Sequence, residues 1–137
     1  MKNVFLLSLL IVMLSCGTQK IVTFEYSVVT RGYKKTVAVS QKETVVVIKK
    51  SNLEETAKYR TSGKLWKALQ INAVDIDLNK ISSLQSPTNK RDIDAAMFAK
   101  LIIVTKGSTY TSSSFDNGHP PKMIKTIVDS LANLEND

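Results

Sequence analysis

The chain has 137 residues, 43% hydrophobic and 23% charged, with 19 Lys+Arg against 12 Asp+Glu and a formal net charge of +7. That length suits one domain, and a single cysteine and a single histidine exclude an internal disulfide and a multi-histidine metal centre. No nucleic-acid motif and no basic segment interleaved with aromatics accompanies the positive charge, so no nucleic acid is expected as a partner.

The first stretch, "MKNVFLLSLLIVMLSCG", sets Lys2 before an unbroken hydrophobic and small-residue run from Val4 to Leu14, followed by Ser15, Cys16 and Gly17. A positive end, an apolar run and a small-residue cleavage point are the three parts of a secretory signal. The run is shorter than the roughly 20 apolar residues needed to cross a bilayer core. Met13-Leu14-Ser15-Cys16 resembles the lipobox of bacterial lipoproteins, in which a small residue precedes a cysteine that is acylated and becomes the new amino terminus. Met13 stands where that pattern most often has leucine, and Leu14 is larger than its usual occupant. The resemblance implies removal of residues 1–15, a lipid on Cys16, and residues 16–20 as an acylated cysteine with a short tether. Gly17 occupies the position where lipoproteins retained at the inner membrane carry aspartate. The resemblance therefore implies the outer membrane, with the domain facing the periplasm or the surface. An acylated Cys16 would also leave no free thiol in an oxidising compartment.

Cleavage would leave 137 − 15 = 122 residues and a side-chain charge of +7 − 1 = +6, since Lys2 is the one charged residue removed. Only "GTQK" separates Cys16 from the first strand-like run, a reach of about 14 Å. A basic domain held that close is attracted to anionic lipid phosphates, by about 1 kcal/mol for each lysine near the surface before salt screening.

From Ile21 the pattern has period two. "VTFEYSV" sets Val22, Phe24, Tyr26 and Val28 on one face and Thr23, Glu25 and Ser27 on the other. A turn centred on Gly32, a strand over Thr36 to Ser40, the break "QKE", and the β-branched run Thr44 to Lys50 follow. "SNLEE" predicts another turn, and Thr56 to Arg60 a weaker fourth strand. Connections this short predict an antiparallel meander.

The period changes at Thr61. Thr61 or Ser62 can cap a helix carrying Leu65, Trp66, Leu69 and Ala73 on one face. "VDIDLNKISSLQSPTNKRD" loses regular periodicity and reads as a packed irregular loop ending at the turn signal Ser86-Pro87-Thr88-Asn89. Asp94 to Lys106 is long enough for one strand, Gly107-Ser108 makes a hairpin turn, and Thr109 to Phe115 returns. After Pro120-Pro121, Met123 or Ile124 joins Ile127, Val128, Leu131 and Leu134 on a helical stripe. The expected fold class is α+β: an antiparallel sheet of about six strands, formed by a four-strand meander, a helix, a hairpin and a C-terminal helix, with both helices packed on one face. Residues 21–137 form this single domain.

"FDNGHPP", residues 115–121, lies between the last strand and that helix. Asn117-Gly118 supplies positive φ, the prolines end the sheet, and Asp116 can accept turn N–H groups. The functional alternative gathers Arg91, Asp92, Asp94, Asp116 and His119 into a loop site. One histidine with separated aspartates does not match zinc spacing, the calcium-loop pattern is absent, and no G-x-S-x-G elbow accompanies the serines. No cofactor, metal or catalytic residue is expected. A bidentate pair from Arg91 to Asp116 or Asp92 would lock the loops. "SPTNKRDIDAA" and "SSSFDNGHPPK" together resemble small bacterial lipoprotein domains with "PT…R…D" and "FD.G.PP" signatures; the resemblance covers most of the mature chain and implies no activity.

The resulting expectation is a lipid-anchored, non-catalytic envelope protein that contacts the membrane through its anchor and binds an envelope protein or anionic surface. An inhibitor of an envelope hydrolase, and a metal-binding or enzymatic domain using Asp116 and His119, are the alternatives.

Overall fold

The computed structural model describes residues 19–93 and 96–135. The segment read as a signal, Cys16 and Asp94 lie outside them. Four strands, β1 (Ile21–Thr30), β2 (Tyr33–Ser40), β3 (Glu43–Lys50) and β4 (Leu53–Arg60), follow one another through two-residue turns. Gly32 (φ 71°) and Ser51 (φ 52°) take the positive φ favoured in two-residue hairpins, in the first and third of these turns. Every pairing is antiparallel, because these turns are too short for a crossover. After helix α1 (Gly63–Ala73), strand β5 (Phe98–Thr105) returns beside β1 and makes β1 central. β6 (Thr109–Thr111) and β7 (Phe115–Asp116) both pair with β5, giving the order β4-β3-β2-β1-β5-β6. Helix α2 (Lys125–Ala132) follows. The fold is α+β, as the periodicity predicts.

One sheet face forms the core. Phe24, Tyr26 and Val28 of β1, Val37 and Val39 of β2, and Leu101 and Ile103 of β5 are buried with Leu69 and Ala73 of α1 and Ile127, Val128 and Leu131 of α2. Trp66 meets Phe24 edge-on, with ring centroids 5.7 Å apart, which seats α1 on the central strand. Ser62 caps α1 by accepting the Leu65 N–H at 3.1 Å. Its neighbour Thr61 is buried instead and shares a 2.8 Å hydroxyl bond with Thr44. In the C-terminal stripe Ile124 is the buried member, and Met123 is exposed.

Several local expectations need correction. Ile21, not Val22, turns into the core, because the pairing with β5 slips between Ile21 and Thr23 and leaves Val22 as an extra residue. β4 begins at Leu53 rather than Thr56, since a two-residue turn, Ser51-Asn52, suffices. β5 begins only at Phe98.

The strand read over Thr109 to Phe115 is two strands. Ile102 pairs with Thr111 and Ala99 with Phe115, so residues 112–114 oppose only residues 100 and 101. This bulge turns the serines to other uses. Ser112 is buried and its hydroxyl accepts the Leu101 N–H at 3.0 Å. The Ser113 N–H donates to the Ile81 carbonyl at 3.2 Å, and its hydroxyl donates to the Leu84 carbonyl. Rather than an irregular loop, residues 78–83 form a 3-10 helix (Leu78–Ser83) that buries Ile81 and packs beside β6.

Candidate functional site

The corner expected around Asp116 is built from two distant segments. β7 turns the Asp116 side chain inward, leaving it 2% exposed. A second 3-10 helix, Lys90–Asp92, has no cap from its own Asn89. Asp116 supplies that cap from 25 residues away in sequence: the N–H groups of Lys90 and Arg91 donate to its two carboxylate oxygens at 2.8 and 2.9 Å. These are the otherwise unpaired donors of a first helical turn, and a carboxylate satisfies them best. The Thr88 hydroxyl donates to Asp116 Oδ2, and Arg91 Nη1 reaches Oδ1 at 3.3 Å. Burial alone would raise the Asp116 carboxyl, but the hydrogen bonds from Thr88, Arg91 and Lys90 outweigh it and hold the group well below the usual carboxylate range.

Arg91 completes the knot. Its Nη1 also donates to the Thr88 carbonyl at 2.8 Å and to Ser86 Oγ at 3.2 Å, while Ser86 Oγ donates to the Thr88 carbonyl at 2.6 Å. The contact with Asp116 is thus single-pronged rather than the bidentate pair expected, because the same nitrogen also serves the 86–88 turn. Across the corner, Tyr26 donates its hydroxyl to Asn117 Oδ1 at 2.5 Å. Burial, and then the charge of Asp129, push the Tyr26 phenol up to about 12. The His119 N–H donates to the Asp116 carbonyl at 2.8 Å, closing a turn in which Gly118 has φ 84°.

Of the expected loop site, the structure joins Arg91 to Asp116. Asp92 is exposed and lies 3.9 Å from Arg91 Nε. His119 is exposed, and it meets Asp116 through backbone. Asp116 does not accept through its side chain from its own turn, as a local Asx corner would; its acceptors serve the other loop. Among the described residues no group of His, Cys, Asp and Glu side chains is placed to hold a metal ion. The chemistry of this arrangement is that of a clamp, with the carboxylate's oxygens occupied and its proton affinity low.

Sequence reasoning missed Ser86 and Thr88, whose roles depend on contacts with a segment far along the chain. It also missed a cleft of about 600 Å³ at the other end of the sheet. Gln19, Lys20 and Ile21 line it with Gln70 and Val74 from the end of α1, and Tyr110, whose hydroxyl donates to Gln19 Oε1, closes one side. Gln70 Nε2 is buried there without a partner among the described residues. No protein-family model matches the chain, and no curated protein matches it either.

Proposed function

We propose that the chain is a lipid-anchored, non-catalytic protein of the bacterial outer membrane, which binds an envelope protein or an anionic envelope surface. The observation that carries this reading is Met13-Leu14-Ser15-Cys16, placed at the end of an apolar run, with Cys16 only five residues before β1 begins at Ile21. The Asp116 clamp supports the non-catalytic part: the one buried acid of the corner is committed to holding two segments together. Expression of the full chain in a Gram-negative host, with mass analysis of its amino-terminal peptide, tests the anchor. Acylation at position 16 and recovery with outer membranes are expected, and both should be lost in Cys16→Ser. A mature chain with an unmodified Cys16 would overturn the reading.

A second reading, inhibition of an envelope hydrolase, draws on one feature. Asn117, Gly118 and His119 project between buried Asp116 and buried Pro120-Pro121, the form of a loop held for insertion. Tight capture of a single hydrolase, weakened by changing Asn117 and His119, would favour it. The metal or enzymatic alternative through Asp116 and His119 has the least support, and stoichiometric metal uptake abolished by His119→Ala would revive it.

A further inference from the structure

The strand register places the start of β1 among a particular set of charges. Ile21 pairs with Thr105, Thr23 with Ser40, and Glu43 with Arg60, so the first residues of β1 share one end of the sheet with the 41–42 turn, the end of β4 and the end of β5. The Lys106 N–H donates to the Lys20 carbonyl at 3.2 Å, and the Thr61 N–H to the Lys42 carbonyl at 3.2 Å. Lys20, Lys42, Arg60 and Lys106 are therefore gathered at the end where the chain emerges from the Cys16 side, and all four are exposed.

Helix α1 lies at the same end. Its start shares a surface cleft with Lys42 and Arg60, and its last turn shares another with Gln19, Lys20 and Ile21. Its buried side carries Leu69 and Ala73. The opposite side, at spacings of three and four, carries Lys64, Lys67, Ala68, Ile71 and Val74, all exposed. Ile71 and Val74 keep 59% and 76% of their surface in solvent. Two large aliphatic side chains are thus held in solvent beside lysines on one helical face.

Charge pairing sets these cations apart from three lysines elsewhere, though not from exposed Arg31, Lys34 and Lys50 at the far end of the sheet, which also form no ion pair among the described residues. Lys49, Lys80 and Lys125 hold Glu54, Asp77 and Asp129 in ion pairs. Among the described residues, Lys20, Lys42, Arg60, Lys64, Lys67 and Lys106 form no such pair. The acids nearby are Glu43, Asp75 and Asp77, the last already held by Lys80.

We infer that this end of the domain docks on an anionic phospholipid bilayer, with the six cations at the phosphates and Ile71 and Val74 entering the head-group layer. The inference rests on the lipid-anchored reading, which brings this end, rather than the Asp116 corner, to the membrane. The anchor supplies proximity and the face supplies orientation, since a lipid chain alone leaves a domain free to tumble on its tether.

The test uses the full chain after export and processing, reconstituted into vesicles, with Val74→Cys carrying an environment-sensitive fluorophore. Mass analysis of the amino-terminal peptide reports on Cys16 separately. In vesicles containing phosphatidylglycerol the emission should shift to the blue and be quenched by a bilayer-embedded quencher. In pure phosphatidylcholine it should remain that of a water-exposed dye. Lys64→Glu with Lys67→Glu should weaken the response to phosphatidylglycerol about tenfold or more. An acylated chain whose label stays in water with anionic lipid overturns the inference while leaving the anchor intact. A blue shift that ignores lipid charge but grows with protein concentration also overturns it, assigning the face to a second copy. If Cys16 is unmodified the anchor reading fails, and the label's response to added phosphatidylglycerol vesicles still decides whether this face binds them.

Discussion

Arg91 meets Asp116 twice, through its backbone N–H at 2.9 Å and through Nη1 at 3.3 Å, both on Oδ1. The backbone contact is the more consequential. It means that the carboxylate is an end cap for a helical turn lent by a strand, and that removing the acid orphans two buried-side donors at once. Asp116→Ala should lower Tm by about 5–10 °C, Arg91→Ala by less because the backbone N–H survives, and exposed His119→Ala by no more than a degree or two. Thermal unfolding of the three variants checks the order.

Acid should weaken the same clamp. Asp116 is held below the ordinary carboxylate range in the folded state, so its contribution is complete above the unfolded value of about 4. As pH falls below that, the unfolded chain takes up a proton that the native chain refuses, and stability declines toward the folded pKa. Denaturant midpoints measured between pH 7 and pH 2.5 should show this decline in wild type, and the part due to Asp116 should be absent in Asp116→Asn.

Tyr26 sets the opposite limit. Its phenol is pushed up to about 12, so the unfolded chain releases the proton first, near pH 10. The stabilisation is complete below about pH 10 and lost as pH rises to about 12. Tyr26→Phe should cost about 1 kcal/mol at neutral pH through loss of the bond to Asn117, and should flatten the alkaline decline. Unfolding midpoints between pH 9 and 12 measure both.

Thr44 and Thr61 join the start of β3 to the start of α1 through a buried 2.8 Å bond. Thr44→Val or Thr61→Val alone leaves a buried hydroxyl unsatisfied and should cost about 1–3 kcal/mol. The double substitution should cost less than the sum of the two, because neither polar group remains. Chemical denaturation of all four combinations closes the cycle.

Along α1, burial predicts a sharp contrast between neighbours. Leu69 is fully buried, and Leu69→Ala should cost about 2–5 kcal/mol. Ile71→Ala, on the outward side, should change stability by no more than about 0.5 kcal/mol. A comparable loss at both positions would show that the outward stripe is packed in solution.

The strands and helices were legible in the sequence because their causes are local. Period-two runs ending at Gly32 and at Ser51-Asn52 fix hairpins over a few residues, and the Leu65, Trp66, Leu69 spacing declares a helix wherever it packs. The bulges at Val22 and at residues 112–114 were not legible, since register is chosen by the partner strand and not by the strand itself. The 3-10 turn Lys90–Asp92 likewise depends on a carboxylate 25 residues away. "FDNGHPP" by itself determined a corner and supplied an acid to it. Only the tertiary structure decided that the acid caps a distant helical turn and that His119 stays outside. It also decided that Lys20, Lys42, Arg60 and Lys106, far apart in the sequence, meet at one end of the sheet. Hydrogen-bond partners and surface charge are set by which segments meet, and sequence separation carries no record of that meeting.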